Sequence, residues 1–267
     1  MLARMPDATN IHPSAIIDPS AKIGTGVEIG PYCVIYAGVE IGDGCWLQNH
    51  VTIDGPTKIG SGNRFYAFGS IGQRTQDLKY SGEPTYLEIG DNNCFRESVT
   101  VNRGTDPGSY TRIGSGGNFL AYSHVAHDCS VGDNVIFSNN GTLAGHVDVG
   151  EHAILGGLSA VHQFCRIGRH SLVGGCTKIV QDLPPFMIAD GNAAEVRGIN
   201  AVGLHRHGFA EDSILALKKA YRVIYKRNLN VADAVAQLKE THPEQGGDQF
   251  VRELIDFIEA SERGIIR

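Results

Sequence analysis

From Ile11 onward almost every sixth residue of this chain is apolar, and that spacing narrows the possible folds more than any other feature. Of the 29 positions in this phase between residues 11 and 179, 26 are apolar. With 42% hydrophobic residues overall, chance would put about 12 there. A period of six matches neither the turn of a helix nor the alternation of a long strand. It suits short strands joined by bends and stacked into a solenoid. The three exceptions, Asp77, Glu83 and Pro107, fall in polar, turn-rich stretches near 73–87 and 103–111. Those stretches read as loops extruded from the repeat without loss of phase.

Four residues beyond the apolar position stand small or compact side chains such as Ala15, Cys33, Cys45, Cys129, Ala153, Ser159 and Cys165, which mark a second inward slot. Four of the six cysteines occupy it, so they read as small buried hydrophobes rather than ligands or nucleophiles. No CxxC pair points to a disulfide framework or a zinc ribbon. Glycine often follows the apolar residue, as at Gly30, Gly42 and Gly150, where a tight backbone bend is expected. Pro184 and Pro185 end the repeat. Helical spacing then returns over 209–227, with Ile214, Leu217, Tyr221, Ile224 and Tyr225 on one face and start signals at Asp212 and Ser213. Two more helices are predicted over 231–239 and 250–260, and together they would cover the open last coil.

At this point the chain resembles the hexapeptide-repeat family. That resemblance implies a left-handed parallel β-helix with three hexapeptides, 18 residues, per triangular coil. The expected organisation is an all-β left-handed β-helix over 1–190, some ten coils, followed by a smaller α-helical domain over 191–267. Lys and Arg total 23 against 29 Asp and Glu, a net charge of −6, which argues against non-specific binding to nucleic acid or an anionic membrane. No apolar run approaches the ~20 residues of a spanning helix, and residues 1–10 lack the apolar stretch of an export signal. A cytoplasmic protein with no membrane insertion is expected.

With 18 residues per coil, positions 18 apart become vertical neighbours roughly 5 Å apart. His127, Gly145 and Gln163 form one such column, flanked by His146, His162, His124 and Asp128. None of the four histidines sits at an inward position, so all should project from the prism. Neutral imidazole suits removal of an alcohol proton near neutrality, and an adjacent carboxylate such as Asp128 would fix its tautomer and stabilise the imidazolium. A glycine N–H one coil above would serve an oxyanion. Together these groups suit acyl transfer without a covalent protein intermediate. The rival reading is a zinc site of the gamma-class carbonic anhydrase type, but the H-x-x-H pair and Gln163 do not match that ligand pattern, and no metal is expected.

A closer resemblance is carried by QDLKYSGEPT at 76–85, RESVTVNRGT at 96–105, HVAHDC at 124–129, NNGTLAGHV at 139–147, AVHQFC at 160–165 and the residues around Arg206. These stretches resemble the acyl-carrier-protein–UDP-N-acetylglucosamine O-acyltransferases that begin lipid A synthesis. The resemblance implies His127 as general base toward the sugar 3-hydroxyl, Asp128 as its orienting partner and the Gly145 N–H as oxyanion donor. It implies that Asp77, His124 and His146 hold the glucosamine and that Gln76 and Lys79 contact substrate. His162 and Gln163 would lie near the nucleotide and acyl groove, Asn200 and Arg206 at the nucleotide and diphosphate. Acyl carrier protein and UDP-N-acetylglucosamine are the implied partners, in a homotrimer whose sites lie between subunits, with no cofactor.

Gly175 matches the position that limits the depth of the acyl groove. Glycine there implies long 3-hydroxyacyl chains of about fourteen carbons, since each buried methylene contributes ~0.8 kcal/mol. Asn102 and Val202 depart from the family pattern, which often has histidine and glutamate there, and leave a 3-amino sugar open as acceptor. An N-acyltransferase of the same pathway is a second reading, although such proteins carry a nucleotide-binding domain ahead of the repeats, which here begin at residue 11. A non-catalytic solenoid is a third, and it would need neither the histidine cluster nor Arg206. Finally, Arg206, Lys218, Lys219, Arg222, Lys226 and Arg227 face only Glu211 and Asp212 over the segment 205–227, a basic patch suited to an acidic carrier.

Overall fold

The computed structural model describes residues 9–243 and 246–267. Residues 1–8, part of the stretch read above as lacking an export signal, lie outside the described residues. The repeat forms three parallel sheets that wrap one prism, with strands of two to four residues in the repeat. The first sheet begins at Asn10–Ile11, the second at Ile16–Ile17 and the third at Lys22–Ile23. Successive strands in a sheet pair at eighteen residues, as Ile11 with Ile29 and Ile29 with Leu47. This is the left-handed β-helix that the resemblance to the hexapeptide-repeat family implied.

The extruded loops leave the sheets in register because their lengths are whole multiples of six. Phe65 pairs with Phe95, thirty residues on, and Phe95 with Phe119, twenty-four on. The insertions fall within the connections 74–85 and 103–109, between the second and third sheets. The inward column therefore continues unbroken. Phe65, Phe95, Phe119 and Phe137 stack with ring centroids 5.0, 4.8 and 4.9 Å apart, all fully buried. Cys33, Cys45, Cys129 and Cys165 are buried in the second slot, whereas Cys176 is exposed.

Apart from Gly72, which does turn with φ 73°, the glycines after the apolar column answer a different need from the one expected. Gly30 has no positive φ; a Cβ there would run into the Gln48 carbonyl of the next coil. Close approach of stacked backbones, not bending, excludes a side chain. The tight bend falls two residues later, where glycine stands at Gly26, Gly38, Gly44, Gly62 and Gly116 but many coils use residues with side chains, such as Tyr32 (φ 59°), Asp128 (φ 58°) and His146 (φ 58°). Left-handed backbone at such residues costs roughly 1–2 kcal/mol each, which the inter-coil hydrogen bonds must offset.

Beyond Pro185 the first sheet gains one more parallel strand, Met187–Asp190, which turns back as the antiparallel Glu195–Ile199. Four helices follow: α1 (Ala201–Arg206), α2 (Glu211–Lys226), α3 (Val231–Thr241) and α4 (Gln249–Glu259). The six-residue α1 was not anticipated, being too short to show a period. Asp182, 1% exposed, joins the last coil to the chain end by accepting from Arg166 N–H (2.8 Å) and the Ser261 hydroxyl (2.7 Å). Arg169 pairs with Glu253 of α4 at 2.5 and 2.6 Å. The helices thus cover the open end of the solenoid. No helix among the described residues is long and apolar enough to cross a membrane.

Three histidines meet at this junction. His152 and His170 stack from adjacent coils at 4.7 Å, and His207 from the end of α1 closes on them at 4.4 and 4.9 Å. His170 is 4% exposed, and burial, with His152, Arg169 and His207 nearby, pushes its pKa down to about 4. Burial lowers that of His152 too, against the opposing pull of Glu151 and Asp133. A histidine whose proton affinity falls on folding stabilises the native state only while neutral. Stability is therefore lost as pH falls from the unfolded value near 6.5 toward 4, by roughly 3 kcal/mol for His170 over the whole window. The melting temperature should drop between pH 7 and 5, and His170→Phe, which keeps the ring stack, should flatten that drop in pH-dependent thermal melts.

Candidate active site

The bends between the second and third sheets carry the cluster. His127, Gly145 and Gln163 occupy successive coils there, and Asp128, His146 and Phe164 stand beside them at the left-handed position. His127 Nδ1 lies 2.9 Å from Asp128 Oδ2; since a carboxylate only accepts, the proton belongs on Nδ1 and Nε2 is left as the basic edge. Burial pushes the Asp128 carboxyl up, but hydrogen bonds from His127 and Thr105, the Ser109 hydroxyl and the nearby His146 outweigh it and hold the group below its usual range. Its charge is thus kept where an imidazolium would form. Asp128 N–H donates to Thr111 Oγ1 at 2.8 Å, and this bond holds the strained residue in place.

Gly145 lies directly against the ring. A Cβ on it would come within 3.0 Å of Nδ1, Nε2 and Cε1 of His127, so glycine here is a requirement of close approach. Gly145 is buried, and its N–H donates to no acceptor among the described residues. An unused main-chain donor therefore sits next to the basic edge of His127.

His146 crosses His127 edge to face at 5.1 Å, with its Nε2 3.8 Å from Asp128 Oδ2. Phe164 stacks on its other side at 4.7 Å. Sequence reading passed over Phe164, although it stands eighteen residues after His146 and the column rule would have found it. His124 bonds the Thr100 hydroxyl at 2.7 Å; burial and the neighbouring His127 push its pKa down and keep it neutral. His162 and Gln163 are exposed one coil further on, His162 Nδ1 lying 3.1 Å from the Gln163 carbonyl. The expectation that all four histidines project from the prism requires one refinement: His127, with 13% of its side chain exposed, is largely covered by the site itself.

The loop at 74–85 rises from the same corner. Gln76 and Lys79 are exposed on it, and Asp77 is half-buried with Oδ1 accepting from Lys79 N–H at 2.8 Å. Other sequence-predicted residues lie elsewhere on the prism. Gly175 is exposed at the bend between the first and second sheets. Asn200 is 6% exposed and caps α1: Oδ1 accepts from Gly203 N–H at 3.1 Å and Nδ2 donates to the His170 carbonyl at 2.9 Å. One lone pair and one hydrogen remain on it for a ligand. Arg206 is exposed at the end of α1 and makes no ion pair among the described residues. One copy of the chain does not gather these groups around His127.

His127, Asp128 and His146 offer three ligand atoms within 4.8 Å of one another, close enough for one cation. A metal there would engage the same carboxylate that fixes the His127 tautomer. A cleft of about 650 Å³ lies between α3 and α4, lined by Lys239, His242, Arg252, Asp256 and others, with none of the cluster on its walls.

A left-handed β-helix bearing a half-buried histidine–aspartate pair against an unused glycine N–H defines a hexapeptide-repeat acyltransferase. The family model described as UDP N-acetylglucosamine O-acyltransferase, domain 2, matches residues 182–266, and that of the bacterial transferase hexapeptide matches 8–42. An acyl-carrier-protein–UDP-N-acetylglucosamine O-acyltransferase of Paraburkholderia phymatum is 51% identical over 97% of this chain and 100% of its own length. One from Herminiimonas arsenicoxydans is 48% identical over 96% and 99%. The solved LpxA of Acinetobacter baumannii superposes with a TM-score of 0.92 at 46% identity, covering 96% of this chain and 99% of that one. The chain belongs to the acyl-carrier-protein–UDP-N-acetylglucosamine O-acyltransferase family.

Gly145→Ala tests the close approach. The added methyl should push the imidazole aside and cut turnover about 10²-fold, the scale of a 1 Å misplacement, while melting and circular dichroism stay near wild type.

Proposed function

We propose that this protein transfers a 3-hydroxyacyl chain from acyl carrier protein to the 3-hydroxyl of UDP-N-acetylglucosamine, the first step of lipid A synthesis, with His127 as general base. The packing of His127 against Gly145 is the observation that carries this reading. His127 Nε2 takes the hydroxyl proton as the sugar oxygen attacks the thioester carbonyl. Asp128 stabilises the imidazolium, and the Gly145 N–H meets the oxyanion of the tetrahedral intermediate. Collapse expels the carrier thiolate, which recovers the proton from His127, giving an ester and a free thiol.

His124, bonded to Thr100, and His146, stacked on Phe164, present ring nitrogens to the sugar, with Asp77 on the adjoining loop. Gln76, Lys79, His162, Gln163, Asn200 and Arg206 are assigned to the remainder of the substrate. Arginine suits the diphosphate because its planar donors match phosphate oxygens. The separation of Gly175 and Arg206 from His127 on one prism supports sites completed by a neighbouring subunit, in a cytoplasmic homotrimer. Lys218, Lys219, Arg222, Lys226 and Arg227 are all exposed along and just beyond α2 and are assigned to the acidic carrier.

Incubation with UDP-N-acetylglucosamine, its 3-amino analogue and a panel of 3-hydroxyacyl carrier proteins tests the assignment. The 3-hydroxyl acceptor and donors of about fourteen carbons should be preferred, and His127→Ala should lose about 10²–10⁴-fold in turnover. Stoichiometric zinc required for that turnover would favour the metal reading instead. Lys218→Glu with Lys219→Glu should raise KM for the carrier and weaken its salt dependence, with KM for the nucleotide sugar unchanged.

A further inference from the structure

Neither loop extruded from the repeat is needed to wind the solenoid, yet the two meet over the catalytic carboxylate. Thr75 and Thr105, each 6% exposed, stand thirty residues apart in the chain and join by a hydrogen bond between their hydroxyls at 2.8 Å. Thr75 Oγ1 also accepts from the Asp77 N–H at 3.0 Å. Thr105 N–H donates to Asp128 at 3.0 Å to Oδ2 and 3.3 Å to Oδ1. Asp128 Oδ2 in turn accepts from His127. Hydrogen bonds thus tie the main chain of the sugar-side loop at Asp77 through two buried hydroxyls to Thr105, whose own N–H holds the Asp128 carboxylate beside the base.

The ground beneath these bonds is rigid. Arg103, 7% exposed, donates to the Gly55 carbonyl and, at 2.7 Å, to the Gly72 carbonyl, and pairs with Asp54 at 3.2 Å. Its own N–H donates to the Gln73 carbonyl at 2.9 Å, which joins the roots of the two loops. At Gly104 a Cβ would stand 2.8 Å from Asp128 Oδ1, so the loop backbone packs directly against the carboxylate. A buried hydroxyl deprived of its partner is costly, so this pair holds its geometry only while both members are present.

We propose that Thr75 and Thr105 are positioning residues for the transfer, coupling the loop that carries Asp77 to the Asp128–His127 pair so that acceptor binding and the base share one geometry. The proposal rests on the reading of His127 as base. It predicts a division of labour between kinetic constants: Thr75 acts nearer the acceptor, Thr105 nearer the proton transfer.

The test is a double-mutant cycle with Thr75→Val and Thr105→Val, read by kcat and KM for UDP-N-acetylglucosamine. Thr75→Val should raise KM about tenfold and Thr105→Val should lower kcat about tenfold. In kcat/KM the double variant should lose about as much as the worse single one, because either change breaks the same hydroxyl pair. Thr75→Ser and Thr105→Ser, which keep the hydroxyls, should stay within about twofold of wild type. Additive losses, wild-type constants in the valine variants, or failure of serine to rescue would each overturn the proposal. If valine prevents folding at either site, alanine is read in the same way. An arm independent of turnover follows the downfield proton resonance of His127 Nδ1–H, which should persist in wild type and serine variants and vanish through solvent exchange in the valine variants. Its persistence in the valine variants would overturn the positioning role. A wild-type protein that fails to acylate UDP-N-acetylglucosamine would sink the functional reading, while the proton signal would still decide the role of the threonines.

Discussion

Each coil donates its backbone N–H groups to the carbonyls of the next, and this eighteen-residue ladder is the interaction on which the rest of the structure depends. It places chemically similar side chains one above another, so an apolar residue in one coil meets an apolar residue in the next and the phenylalanine stack from Phe65 to Phe137 can form. It also fixes where glycine is compulsory, because coils stacked at strand spacing leave no room for a Cβ at Gly30, whose place would be taken by the Gln48 carbonyl. The same ladder sets Gly145 one coil above His127, where the imidazole ring occupies the space a side chain would take.

A regular prism has no concavity, and function enters through departures from regularity. The two insertions preserve phase, so they leave the core untouched while adding a wall beside the second and third sheets. Thr105, Ser109 and Gly104 from the second insertion close over Asp128, which would otherwise be a solvated turn residue. The left-handed bend is the other departure. It turns Asp128 back toward His127 although the two are sequence neighbours, and it aligns His146 and Phe164 in the same column. Backbone strain at these bends is offset by the ladder on either side.

The inward column, the cysteine slot and the alignment of His127 with Gly145 were legible in the sequence because each is a direct consequence of period. Residues that act outside the period were not. Thr75 and Thr105 meet only because loops of irregular conformation fold back on each other, and nothing in their spacing announces it. Asn200 was read as a nucleotide contact, yet its side chain caps α1 and ties that helix to His170, a use that required knowing where the chain returns after the hairpin. The His152–His170–His207 contact likewise joins two coils to a helix whose docking angle no local pattern encodes.

The sequence by itself determined the winding, its interruptions and the column in which a base and a main-chain donor would meet, because repetition converts separation along the chain into height along an axis. The tertiary structure alone decided the state of His127 and Asp128: which imidazole nitrogen carries the proton, how the carboxylate is kept charged and which loop packs against it. Those properties depend on contacts across insertions and between coil and helix, where no period operates and only three-dimensional packing sets the distances.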